Sequence, residues 1–328
     1  MIMFRGAIEL MKPNVLKIAR LPDLLSERLY ADYRVLEGSE SGAELGAAAA
    51  DVRALVANGE SRVSRELLDR LPALEIIVVF GVGYDGVDVR AAEARGIPVT
   101  HTPDVLTDDV ADFAMTLLLG IARRVAVADR FVREGAWAGG PFPFTRKVSG
   151  ARLGIVGLGR IGSAIARRAT AFDMLIAYCG RRPRPVDYRY FASVHELAAQ
   201  VDFLVVSANG GADTRHLIDA SVLDALGPEG ILVNVGRGSV VDEAALAGAL
   251  AERRLLGAAL DVFEDEPRVH PRLLELDNVL LTPHMASATW ATRRAMADLL
   301  MANLRAHFAG QPLPSPVPGD HREPTSSA

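Results

Sequence analysis

Cysteine is all but missing. Cys179 is the only one in 328 residues, which excludes an internal disulfide framework and fits a reducing compartment, so a cytoplasmic location is expected. At the end of an apolar run, it reads as a small buried side chain before it reads as a reactive thiol. Long apolar runs are missing too. No stretch approaches the ~20 residues of a membrane span. Arg5, Glu9 and Lys12 interrupt the N-terminal segment before it reaches signal-peptide length. An excess of positive charge is absent: the net charge is −5 and the pI about 5.9, so nothing draws the chain to nucleic acid in general. Neither a membrane nor a nucleic acid is expected as a partner, and no metal site is expected.

What is present is ample apolar material. Half the residues are hydrophobic and 23% are charged, a globular balance whose length suggests two domains. Residues 1–12 read as an extension in which Met11 could be a second start, and Gln311 to Ala328 as a proline-rich, then polar tail without a core of its own. Between them, strand-like runs alternate with helical ones. Val15–Ala19, Tyr33–Leu36, Val52–Val56, Ile76–Phe80 and Ile97–Thr100 are the first set of strands. Such alternation implies α/β architecture with parallel, doubly wound sheets. Thr102-Pro103 reads as a boundary, and Asp104–Arg124 as one long, almost uniformly apolar helix buried by another domain or subunit. The loop Trp137 to Phe144 reads as a partner contact or as a cover for the core.

The second half is organised around Gly157-Leu158-Gly159-Arg160-Ile161-Gly162. It follows a strand, Arg152–Val156, and opens a helix. In that context Gly157 permits a tight turn, Gly159 lets backbone approach a pyrophosphate and Gly162 lets helix and strand pack closely, a dinucleotide site. After the next strand, Met174–Cys179, an acidic residue would bind an NAD ribose, but Gly180-Arg181-Arg182-Pro183-Arg184 stands there. Arg181, Arg182 and Arg184 suit a 2′-phosphate, hence NADP(H) in preference to NAD(H). A solvated basic turn is the plainer alternative. In the first half, the turn Phe80-Gly81-Val82-Gly83-Tyr84 leaves the most apolar strand. It reads as a cradle of backbone N–H groups for a small carboxylate, or as an ordinary turn before a helix.

Further strands are read at Phe203–Val206, Ile231–Val235, Ala259–Phe263 and Val279–Thr282, with a helix from Asp242 stopped at Gly257 and a closing helix from Met285 to Phe308. Arg237, Glu266 and His284 follow the carboxyl ends of three of these strands, on the edge where a dinucleotide's reactive end lies. A histidine gives and takes protons near neutral pH, a carboxylate orients its ring, and an arginine binds a substrate carboxylate. That set would reduce a 2-oxo acid to a 2-hydroxy acid.

The glycine turn, Asn234-Val235-Gly236-Arg237-Gly238-Ser239-Val240-Val241-Asp242-Glu243, Leu260-Asp261-Val262-Phe263-Glu264-Asp265-Glu266-Pro267 and Pro283-His284 resemble the D-isomer-specific 2-hydroxyacid dehydrogenases. The resemblance implies two doubly wound, Rossmann-like domains with an interdomain cleft: residues 1–103 with 287–328 bind substrate, and 104–286 bind NADP. It implies a homodimer joined through the coenzyme domains. It makes Arg237 the substrate-orienting arginine, Glu266 the histidine's partner and His284 the acid/base, with Val82, Gly83 and Ser287 at the substrate. Cofactor contacts are implied for Thr107, Arg160, Ile161, Asn209, Thr214, Val235, Asp261 and Ala286, Asp261 also supporting the site. Within the family, Pro103–Asp112 and Gly180–Pro185 look most like glyoxylate/hydroxypyruvate reductases and plant hydroxyphenylpyruvate reductases. Where relatives carry Leu-Thr-Pro, this chain has Gly210-Gly211-Ala212, which implies a more mobile loop. Pocket size would depend on Tyr84, Leu106, Trp137, Phe142 and Trp290. Three functions stay open: an NADPH-dependent glyoxylate/hydroxypyruvate-type reductase, a reductase of larger aromatic 2-oxo acids, and a dinucleotide-sensing, corepressor-like scaffold.

Overall fold

The computed structural model describes residues 12–318. All of the expected N-terminal extension but Lys12, Met11 included, and the end of the tail lie outside the described residues. The chain divides into two compact units, one running to Leu106 and resuming at Thr289, the other spanning Thr107–Ala288.

The first unit is built on five parallel strands: β1 (Asn14–Lys17), β2 (Arg34–Glu37), β3 (Val52–Asn58), β4 (Ile76–Phe80) and β5 (Val99–Thr100). Their order is β2-β1-β3-β4-β5. Every residue of β4 is buried, as a strand covered on both faces requires. The Trp290–Phe308 helix packs beside β4, and its Met296, Ala297, Leu300, Met301 and Leu304 are buried. This helix begins five residues later than the sequence pattern suggests. Met285 and Ala286 give their N–H groups to the Asp261 carboxylate instead, and the Thr289 hydroxyl caps the helix by accepting the Thr292 N–H. The described part of the proline-rich tail departs from expectation. Pro316 bridges Thr100 in antiparallel fashion, Val317 donates to the Val99 carbonyl, and Ser315 is buried. Chain without helical or sheet propensity thus covers the exposed edge of β5.

The second unit holds seven parallel strands: β6 (Arg152–Val156), β7 (Leu175–Cys179), β8 (Arg189–Phe191), β9 (Phe203–Val206), β10 (Ile231–Asn234), β11 (Gly257–Leu260) and β12 (Val279–Leu281). The order is β12-β11-β10-β9-β6-β7-β8, so the winding reverses between β6 and β9, the crevice where such sheets take ligands. The chain is therefore α/β with two doubly wound parallel sheets, as its alternating pattern implies. Two readings need correction. The long apolar helix spans Thr107–Ala122, not Asp104–Arg124, because Asp104 and Arg124 both have positive φ, 68° and 51°. The helix from Glu243 ends at Ala251, and Gly257 opens β11. Cys179 is buried, its Sγ lies 3.8 Å from the Ala192 carbonyl, and burial pushes its thiol pKa up. Among the described residues no helix is long and apolar enough to cross a membrane.

Candidate active site

The glycine turn joins β6 to the Arg160–Thr170 helix at the reversal of winding. Gly157 has φ 94°, beyond easy reach of a side-chain-bearing residue. A Cβ on Gly162 would lie 2.2 Å from the Gly157 carbonyl oxygen, so helix and turn touch only because it has none. Space above Gly159 is open: a Cβ there would meet nothing within 4 Å. Ser163 donates the first helical bond, to the Gly159 carbonyl at 2.9 Å, leaving the N–H groups ahead of it without an acceptor inside the helix. Elsewhere Ser64, Asp88, Ser193, Asp219, Asp242 and Thr289 cap helices with side-chain oxygens. This helix has no side-chain cap, as the helices from Asp23, Val125 and Pro271 also have none, but only here does a glycine turn precede it, and its positive end is open to an anion.

Arg181, Arg182 and Arg184 are all exposed on the turn after β7. The turn is held by two tyrosines that the sequence reading passed over. The buried Tyr178 hydroxyl accepts the Arg184 N–H at 2.7 Å, and the Tyr190 hydroxyl donates to the Gly180 carbonyl at 3.2 Å. Their rings pack at 5.4 Å. Tyr190 comes from β8, a three-residue strand too short to show any periodicity.

The three ionisable residues lie beyond neighbouring strands β10, β11 and β12. Arg237 follows β10, where buried Asn234 clamps its turn: Oδ1 accepts the Gly236 N–H and Nδ2 donates to the Arg237 carbonyl, each at 3.0 Å. Gly238 runs so close to the next loop that a Cβ would fall 1.8 Å from the Phe263 carbonyl carbon. That loop carries Glu266. One Glu266 oxygen accepts the Phe263 N–H at 2.8 Å, and the other takes His284 Nδ1 at 2.7 Å. His284 has φ 49° and donates its own N–H to the Asp261 carbonyl at 2.8 Å. The Asp261 side chain is 1% exposed and accepts from Thr282 Oγ1, Met285 N and Ala286 N. Burial, foremost, raises its pKa, while these donors oppose the shift. Three of about four acceptor positions on that carboxylate thus serve the loop that presents His284. Glu243, the last residue of the Arg237 motif, has a role that the motif alone does not show. It is 5% exposed, and its carboxylate accepts the Glu264 N–H at 2.5 Å, fixing the Glu266 loop from behind. Burial, then the Glu264 charge, pushes its pKa up.

The remaining expected contacts have settled local roles. Thr107 starts its helix, and the Val235 N–H donates to the Val206 carbonyl. The Gly210-Gly211-Ala212 segment leads into a short 3-10 turn closed by the Thr214 hydroxyl on the Asn209 carbonyl, at 2.8 Å. Ala286 is buried and Ser287 half-buried. In the first unit, the expected row of free N–H groups after β4 is shorter by one, because Gly81 donates to the Val79 carbonyl. Val82 and Gly83 have no N–H partner among the described residues. Of the pocket candidates, Leu106 is buried, Tyr84 packs edge-on to His101, Phe142 packs on Phe131, and Trp137 and Trp290 are exposed.

Residues 115–286 match the family model of the D-isomer specific 2-hydroxyacid dehydrogenase NAD binding domain. The chain is 52% identical over 270 residues to hydroxyphenylpyruvate reductase of Plectranthus scutellarioides, covering 82% of this chain and 86% of that protein. It is 51% identical over 267 residues to glyoxylate/hydroxypyruvate reductase A of Arabidopsis thaliana, covering 81% and 85%. The solved NADPH-dependent glyoxylate/hydroxypyruvate reductase of Sinorhizobium meliloti, in complex with NADP and malonate, superposes with a TM-score of 0.89 at 45% identity, covering 93% of this chain and 97% of that one. The chain belongs to the D-isomer specific 2-hydroxyacid dehydrogenase family.

Proposed function

We propose that this protein is an NADPH-dependent reductase of a small 2-oxo acid, of glyoxylate or hydroxypyruvate type, giving the D-2-hydroxy acid with His284 as proton donor. The observation that carries the reading is the 2.7 Å bond from His284 Nδ1 to Glu266, set beside Arg237 on the edge of the sheet that also holds the glycine turn. The glycine turn would hold the pyrophosphate, and Arg181, Arg182 and Arg184 the 2′-phosphate. NADPH, when bound, supplies hydride to the carbonyl carbon. With Nδ1 engaged by Glu266, proton transfer to the nascent alkoxide falls to His284 Nε2. The neighbouring carboxylate favours the charged imidazolium that must stand ready to give that proton. Arg237 keeps its charge throughout and steadies the substrate carboxylate. Val82 and Gly83 would bind a substrate carboxylate through backbone N–H groups.

NADPH oxidation against a panel of glyoxylate, hydroxypyruvate, pyruvate and 4-hydroxyphenylpyruvate tests the reading. Fastest turnover is expected on the small acids, and Arg181→Asp should raise the KM for NADPH while sparing NADH. No turnover on any acid between pH 6 and 8 overturns it. The similarity to a hydroxyphenylpyruvate reductase supports a second reading, in which the aromatic acid turns over fastest in that panel. We also propose a homodimer. Val125, Val132, Trp137 and Phe144 are 56, 54, 66 and 105% exposed on one stretch of the second unit, apolar surface that a second copy would cover. A monomeric mass in light scattering at micromolar concentration would count against it.

A further inference from the structure

The turn after β4 is tied down by its carbonyls. Thr102 N–H donates to the Gly81 carbonyl at 2.8 Å, and His101 Nδ1 bonds the Val82 carbonyl at 2.8 Å. A carbonyl only accepts, so His101 carries its proton on Nδ1 in this contact. Both peptides are trans, the one cis bond among the described residues being Glu266-Pro267. In a trans peptide the C=O and the following N–H point opposite ways. Two successive carbonyls drawn toward His101 and Thr102 therefore send two successive N–H groups, of Val82 and Gly83, toward the other side. In an extended strand such groups alternate; here they converge, which is the geometry of a backbone anion site.

We infer that His101 is a positioning residue for the substrate carboxylate, acting through the Val82 carbonyl to aim the Val82 and Gly83 N–H groups. The inference rests on the proposed carboxylate cradle. Only the His101 end of this arrangement depends on a side chain, since Thr102 works through backbone. His101 is itself rigidly held. It is 7% exposed, Tyr84 stands edge-on at 5.3 Å, and both its backbone groups bond Ser315. Ser315 is in turn fixed by the fully buried Asn303, whose Oδ1 accepts the Ser315 N–H and whose Nδ2 donates to the Ser315 hydroxyl. The imidazole thus has a fixed base from which to pull.

The full-length protein carrying His101→Leu or His101→Asn tests this. The amide nitrogen of asparagine occupies the place of Nδ1 and donates as it does; leucine matches its size and donates nothing. Expected for His101→Leu is a KM for glyoxylate raised about tenfold, the scale of one lost hydrogen bond, with kcat and the Kd for NADPH within about twofold of the parent. His101→Asn should stay near the parent KM. If the leucine variant does not fold, His101→Asp, which keeps the asparagine shape without its donor, takes its place. An unchanged KM in the variant without a donor, or an asparagine variant as impaired as it, overturns the role of His101. The parent protein is assayed in parallel on glyoxal, which lacks the carboxylate. Equal KM values for glyoxal and glyoxylate would overturn the cradle itself, and His101's role with it.

Discussion

The Glu266 carboxylate divides its two oxygens between backbone and imidazole, so it sets both the loop and the ring. His284→Ala is expected to lower kcat by about 10²–10⁴, the usual worth of a general acid, while fluorescence titration shows NADPH binding intact. Loss of coenzyme binding together with turnover would show that the histidine serves the fold instead. The proposed selection of the coenzyme is just as local. Tyr178→Phe leaves the Arg184 N–H without its acceptor, and Arg184 should drift on its turn. The KM for NADPH is expected to rise about fivefold with that for NADH unchanged. Equal effects on both would assign Tyr178 to stability alone. Arginines announce themselves in a sequence, but the phenols that hold them do not. Tyr178 lies in an apolar run where nothing distinguishes a clamp from a core residue, and Tyr190 in a strand of three residues that shows no pattern at all.

At the scale of elements, strand registry in the second sheet is pinned at its start by Asp202. Its carboxylate accepts the Arg152 N–H at 2.8 Å, pairs with the Arg152 guanidinium and reaches Arg146 at 3.2 Å. The Arg152 hydrogen bond, foremost, holds its pKa below the usual 3.8. A depressed carboxyl pKa stabilises the fold above the unfolded value and loses that contribution as pH falls through the folded one. Asp202→Asn should therefore lower Tm by about 2–4 °C at neutral pH, a modest figure because Arg152 is half exposed. The gap should close below about pH 4, and a gap constant with pH would refute the linkage. Much of this layer is legible in sequence. Short apolar runs rich in β-branched residues, such as Ile76–Phe80, read as doubly covered strands, and the glycine turn is diagnostic in its strand–helix setting. Ends are harder. Nothing in Met285-Ala286 shows that Asp261, over twenty residues earlier, claims both N–H groups and delays the helix, and positive φ at Asp104 is a tertiary outcome. Arg237, Glu266 and His284 could be read because each follows a strand, whereas Glu243 ends a quoted motif with no role to show for it and His101 stands in none, since both act through another residue's backbone.

Over the whole molecule, the two units differ in how the chain builds them. The second is one continuous span, Thr107–Ala288, with its own apolar core, whereas the first needs the stretch from Thr289 to finish the cover of β4 and the edge of β5. Residues 107–288 produced alone should thus melt cooperatively, and 12–106 alone should not, as circular dichroism would show. Cooperative melting of 12–106 would mean that the Trp290–Phe308 helix is dispensable. The same arrangement has a consequence for biosynthesis. The segment that fixes His101, from Asn303 to Ser315, is translated after the whole of the second unit, at about 5–20 residues per second. The second unit can take shape while the polypeptide is still growing, but the turn that would grip the acid waits for that later stretch. A chain halted before Asn303 would contain the whole second unit and lack the support of His101, so the proposed acid-binding turn would gain its footing only after the coenzyme unit is complete.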